Sequence, residues 1–194
     1  IDMRVFELSM EFLEKVTRET GTEVMMSVNV SVRHLMKNTF IEDIKNILKA
    51  HNIAPERVEI EITESIMIDS AEKALQRINE IKAMGMKVAI DDFGTGYSNL
   101  GYLKQLDVSE IKIDRSFGSE IEKNTYNYRL ISNVIEFAKT NAIHACCEGV
   151  ETAKELSILE PLQADIFQGY LFDKPLPEQE FETRLRSRKY DNIL

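Results

Sequence analysis

One unit recurs along this chain and limits its fold more than any other feature: a short β-branched run, a polar residue or turn, then an amphipathic helix. Strands are predicted at 24–30 (VMMSVNV), 57–63 (RVEIEIT), 87–91 (KVAID), 110–114 (EIKID), 144–148 (HACCE) and 166–170 (IFQGY). Helical patterns lie between them. In 70–84 the residues Ala71, Ala74, Leu75, Ile78 and Ile81 share one face, and Gly85 is placed as a stop. Residues 39–49 and 128–138 show the same spacing, and further helices are expected at 3–18 and after Pro177. Asp69 with Glu72, and Thr152 with Glu155, have capping-box spacing. Alternation in units of this length builds a parallel sheet, either doubly wound or closed into a barrel. A closed (β/α)₈ barrel needs eight strands and about 250 residues, whereas six strands are legible in these 194. The period alone leaves both architectures open.

No linker or low-complexity tract divides residues 1–194, so a single domain is expected. A hydrophobic share of 43% can build a core, and no apolar run approaches the roughly 18 residues of a membrane span, nor does a signal peptide open the chain. The net charge of −9 argues against a nucleic-acid polymer or an anionic membrane as partner. It leaves room for a small phosphate ligand if metal ions supply positive charge. Cys146 and Cys147 are adjacent and make no disulfide framework, so a cytoplasmic location is expected. His34, His51 and His144 lack zinc-ligand spacing. The chain opens Ile1-Asp2-Met3 and reads as a piece of something longer.

Each predicted strand carries, from its midpoint onward, a residue that packing alone does not call for: Asn29, Glu61, Asp91, Lys112, Glu148 and Gln168. In the second strand Val58, Ile60 and Ile62 point one way and Glu59, Glu61 and Thr63 the other. An unpaired carboxylate inside a barrel would cost several kcal/mol, and a divalent cation removes that cost. Carboxylates and an amide carbonyl converging at strand ends form a hard oxygen site suited to Mg²⁺ or Mn²⁺. Any one of these residues alone is more often a turn former or helix cap. Six at equivalent positions favour a site. The segment 91–101, DDFGTGYSNLG, is the sharpest local signal. Asp91 and Asp92 would face opposite ways on an extended strand, yet both can reach one cluster where the strand opens into a loop. Two metals roughly 3.5–4 Å apart would require that. A dinucleotide-binding glycine loop fails here, because its third glycine would fall on Asn99. Lys112 and Asp114 share a strand face, where a buried structural ion pair is the plain alternative to a phosphate contact. Glu148 and Glu151 flank the Gly149-Val150 turn, where either could cap the next helix.

The motifs SVNVS (27–31), EIEITES (59–65), DDFGTGYSNL (91–100), IKIDRSF (111–117), EGVET (148–152) and QGYLFDKPLP (168–177) resemble the EAL domain, the bacterial phosphodiesterase module for cyclic di-GMP. The resemblance implies a TIM-type (β/α)₈ barrel with one strand antiparallel to the rest. It also implies a two-metal hydrolysis, with Mg²⁺ or Mn²⁺, of cyclic di-GMP to linear pGpG. Asn29, Glu61 and Asp91 look like ligands of one metal, with Asp92 reaching the second. Lys112 would orient the water or contact phosphate. Glu148 would assist deprotonation or complete the second metal's surroundings, with Asp114 beside it. Gln168 would hold the site and substrate, and Glu64 would anchor the loop after Asp92, which the family also uses near its dimer interface.

The family's E-A-L strand, whose glutamate is a metal ligand, lies upstream of anything here, so the barrel is expected to be incomplete. About a fifth of the family's barrel would be missing, the sheet would gape or be completed by a partner chain, and catalysis by this fragment would be impaired. Upstream GGDEF or sensory domains often accompany the module, and the parent could be membrane-anchored. Two other readings are a non-catalytic cyclic di-GMP-binding or dimerisation module, and a metal-dependent barrel using a lysine base on a carbon acid. The Asp91-Asp92 pair favours a dinuclear phosphoryl site over the last.

Overall fold

A computed structural model describes residues 2–66, 71–95, 103, 105–119 and 121–187. Six strands form one sheet in the order of the chain: β1 (Met26–Asn29), β2 (Val58–Thr63), β3 (Lys87–Phe93), β4 (Glu110–Ile113), β5 (His144–Cys147) and β6 (Ile166–Phe167). Every pairing is parallel. A doubly wound sheet reverses its strand order at a switch point. Unbroken sequential order instead winds one way, as in a (β/α) barrel, and settles the choice that the repeat period left open. The architecture is that of an incomplete TIM-type barrel, and the antiparallel strand implied by the family resemblance is not among the six described.

The helices cover the outer face: α1 (Asp2–Thr20), α2 (Val32–Leu35), α3 (Phe40–Ala50), α4 (Ala71–Ala83), α5 (Arg115–Gly118), α6 (Tyr126–Thr140), α7 (Ala153–Leu159) and α8 (Glu178–Arg186). Each longer helix turns a stripe at helical spacing toward the sheet: Phe6, Met10, Leu13 and Val16 on α1, and Ile131, Val134, Ile135 and Ala138 on α6. They meet the outward-facing strand residues, among them Val58, Ile60, Ile62, Val88 and Ile90, all fully buried. α7 begins at the anticipated capping box, in which Thr152 accepts from the Glu155 N–H and Glu155 accepts from the Thr152 N–H. Neither Glu148 nor Glu151 caps it. The matching expectation for Asp69 lies outside the described residues.

The inward face differs from an ordinary barrel core because it is charged. Glu59, Glu61, Glu110 and Lys112 are all buried. At the two ends of the sheet the protection lapses: Ser27 and Asn29 on β1 are exposed, as are Ile166 on β6 and Gln168 just beyond it. At the outer layer α8 returns to α1, with Phe12 and Phe181 ring centroids 5.9 Å apart and Lys15 Nζ 2.7 Å from Glu182.

Candidate active site

The site collects at the carboxyl ends of β2, β3, β4 and β5. Lys112, third residue of β4, projects inward and is 5% exposed. Its ammonium lies 2.7 Å from Glu148, 2.9 Å from Glu61 and 3.3 Å from Asp91. Burial alone would push the Lys112 ammonium down, but its bonds to Glu148 and Glu61 outweigh this and hold it above its ordinary value. Lys112 is thus in a buried ion network, but its partners are Glu61, Asp91 and Glu148 and not Asp114, the acid predicted to share its strand face. Glu61 also accepts a hydrogen bond from the Asn29 amide at 2.9 Å. Lys112 therefore links β4 to β2, β3 and β5.

β3 continues two residues beyond its predicted end at Asp91, and its last turn is irregular. Ile90 pairs with Ile111 and Phe93 with Ile113, so Asp91 and Asp92 together oppose the single residue Lys112. This is a β-bulge. Asp92 takes a left-handed φ of +55°, which breaks the strand's alternation. Asp91, Asp92 and Glu148 consequently each offer an oxygen within 4.8 Å of one another. Asp91 Oδ1 is buried, and the Lys112 ammonium at 3.3 Å is its ion-pair partner. Partial desolvation and the charges of Asp91 and Asp114 push the Asp92 carboxyl up. Burial does the same to Glu148, against the pull of Lys112. Three converging carboxylates that repel one another offer a hard oxygen donor set that fits a divalent cation of the Mg²⁺ or Mn²⁺ type.

The other anticipated residues are placed as follows. β4 ends at Ile113, and Asp114 is the N-cap of α5, accepting from the Ser116 N–H at 3.0 Å. It nevertheless lines a cavity of about 290 Å³ with Asp92, Glu148 and Gln168. β6 is two residues long, and Gln168 follows it, its carbonyl accepting from the Val150 N–H. Glu64 follows β2, is buried, and accepts from the Gly94 N–H at 3.1 Å. Gly94 has a φ of +102°, and a Cβ there would lie 2.5 Å from the Phe117 ring; only glycine fits between Glu64 and Phe117. The loop beyond Asp92 is described as far as Thr95, so the dimer contact expected of it lies outside the described residues. Arg115 and Tyr170 also line the cavity and were not singled out from the sequence. Both sit inside quoted motifs, IKIDRSF and QGYLFDKPLP, which was the available signal.

Comparison with known proteins agrees with this geometry. The family model described as "EAL domain" matches residues 1–175. The bifunctional diguanylate cyclase/cyclic di-GMP phosphodiesterase MucR of Pseudomonas aeruginosa is 34% identical over 155 residues, covering 80% of this chain and 23% of that protein. A solved complex of the PaMucR phosphodiesterase with c-di-GMP superposes with a TM-score of 0.87 at 30% identity, covering 92% of this chain and 72% of that one. The Klebsiella pneumoniae BlrP1 manganese/cy-diGMP complex superposes at 0.83 and 25% identity, covering 91% of this chain and 45% of that one. This chain spans between 21% and 25% of the length of several curated relatives that it matches. Among the described residues no helix is long and apolar enough to cross a membrane. Sequential parallel strands, inward acids at their ends and a family model running over nearly the whole length lead to one assignment: the chain belongs to the EAL domain family.

Proposed function

We propose that this chain is the hydrolytic region of a bacterial cyclic di-GMP phosphodiesterase, opening its substrate to linear pGpG at a two-metal site that takes Mg²⁺ or Mn²⁺. The observation that carries the proposal is the bulge on β3, which turns two consecutive aspartates toward Glu148 and Lys112. Two adjacent carboxylates on one cluster favour a dinuclear phosphodiester site over carbon-acid chemistry.

Bound divalent cations would polarise the phosphorus–oxygen bonds and make water a better nucleophile. Asp91 and Asp92 would hold them, with Glu148 completing the set and Glu61 and Asn29 contributing from β2 and β1. Lys112 stays charged among its carboxylates and presents an ammonium to a phosphate oxygen or the attacking water. Glu148, its affinity for protons raised by burial, is the group suited to take the proton that water gives up. The new P–O bond forms as the bond to one ribose oxygen breaks, and the ring opens. Gln168 and Asp114 border the cavity into which the nucleotide would fit. Glu64 keeps the loop after Asp92 in register through Gly94.

The whole parent would be a cytoplasmic signalling protein or carry a cytoplasmic EAL region, with GGDEF or sensory domains upstream and a homodimer contact through the loop after Asp92. The fragment's own turnover is expected to be low, because Asn29 stands exposed on the open edge of the sheet. The test is a time course of pGpG release from cyclic di-GMP with Mg²⁺ or Mn²⁺, with Asp91→Asn as control. Release abolished by Asp91→Asn supports the reading. No release from a chain carrying the missing barrel strands sinks it in favour of a non-catalytic binding module.

A further inference from the structure

The cavity at the strand ends is lined by four carboxylates, Asp92, Asp114, Glu148 and Glu151, and by one cation, Arg115. A ligand with two phosphates meets a repulsive field there unless each phosphate finds positive charge. Cations held by Asp91, Asp92 and Glu148, together with Lys112, would serve one phosphate. Lys112 cannot serve both, since its ammonium is buried and already shared by three carboxylates.

Arg115 differs in each respect. It is exposed, and among the described residues no ion pair or hydrogen bond holds its guanidinium. Its root, by contrast, is fixed. Asp114 caps the turn that Arg115 opens. Gly149 (φ +66°) passes so close that a Cβ on it would lie 2.2 Å from Arg115 Cβ and 3.2 Å from its Cα. The chain after β5 can lie against α5 only because Gly149 has no side chain. A guanidinium with an anchored base and an unengaged head, beside four acids that have not captured it, is arranged for an incoming anion. Its planar fork matches a pair of phosphate oxygens better than an ammonium would.

We infer that Arg115 binds the phosphate of the cyclic dinucleotide that is not being hydrolysed, orienting the ring so that the other phosphate reaches Asp91, Asp92 and Glu148. This rests on the phosphodiester reading above. It makes Arg115 a substrate-binding residue with no part in holding metal.

The test is calorimetric titration of the full chain and its Arg115→Ala and Arg115→Lys variants with cyclic di-GMP, in Mn²⁺ and separately in EDTA, alongside titration with Mn²⁺ alone. Losing a charge-assisted fork to phosphate should weaken nucleotide binding by about tenfold or more in Arg115→Ala. Arg115→Lys should fall between, and Mn²⁺ affinity and melting temperature should not move. Nucleotide affinity within twofold of the parent chain overturns the assignment and leaves the proposed function standing. A loss matched by an equal loss in Mn²⁺ affinity or in melting temperature also overturns it, as a structural effect. If the parent chain and both variants bind no cyclic di-GMP, this inference is overturned for the chain, and the phosphodiester reading falls with it if a chain carrying the remaining barrel strands also binds none.

Discussion

Asp91 and Asp92 are consecutive in the chain, yet both carboxylates reach the same cluster, because the pair occupies a bulge opposite the single residue Lys112. The left-handed φ of +55° at Asp92 is the local cost of that arrangement. Asparagine tolerates this backbone about as well as aspartate, whereas alanine does not. Asp92→Asn should therefore keep or raise the melting temperature while weakening Mn²⁺ binding at least tenfold. Asp92→Ala should lose about 1 kcal/mol of stability as well. Thermal melts and Mn²⁺ titrations of the two variants read both outcomes, and equal melting temperatures would count against strain at Asp92.

Lys112 offers the opposite case, a charge whose removal harms the fold first. Lys112→Met leaves Glu61, Asp91 and Glu148 facing one another without compensation. Breaking a buried ion network by deleting one partner costs about 3–5 kcal/mol. The variant should melt well below the parent chain in EDTA, and millimolar Mn²⁺ should restore part of the difference. A variant as stable as its parent in EDTA would show that the ion network adds nothing net to the fold.

The barrel interior predicts a distinct pH dependence. Burial and the nearby charge of Glu59 push Glu110 from 4.5 to about 7. Because its folded pKa is the higher, Glu110 binds protons more tightly in the native state. Its contribution is fully present below pH 4.5, fades as pH rises toward 7, and is gone above that. Glu110→Gln should accordingly match the parent near pH 4 and be the more stable at pH 8, by an amount on the order of 1 kcal/mol or more. Urea unfolding at the two pH values measures it, and a constant difference between them would refute the assignment.

Glu64 and Gly94 are coupled through one hydrogen bond and one steric fit. Gly94→Ala drives a methyl into the Phe117 ring and forces an unfavourable φ, for a loss of roughly 1–3 kcal/mol. Turnover should fall more than stability accounts for, since the same segment carries Asp92. Comparing kcat at a temperature where both proteins are fully folded separates the two effects.

Much of this was legible in the sequence, for reasons that can be named. Helical stripes such as Phe6, Met10, Leu13 and Val16, and the two-residue alternation of Val58, Ile60 and Ile62, are local periodicities set by backbone geometry. The Thr152–Glu155 box is likewise a four-residue event. Strand ends were less legible. Asp114 was placed on β4 and proves to be a helix cap, because the same aspartate can continue a strand or accept from an N–H two residues on. The sequence pattern puts Gln168 in the middle of a five-residue strand at 166–170, of which Ile166 and Phe167 pair.

What the sequence by itself determined is the set of polar residues at strand ends and the strand–helix alternation that brings them to one face, since both depend on neighbours along the chain. The choice of barrel over doubly wound sheet, the bulge that gathers Asp91 with Asp92, and the three carboxylates around Lys112 were decided only by the tertiary structure. Each depends on which strand lies beside which and in what register. The energy that selects among registers comes from contacts between residues tens of positions apart, such as Lys112 with Glu61 and Glu148.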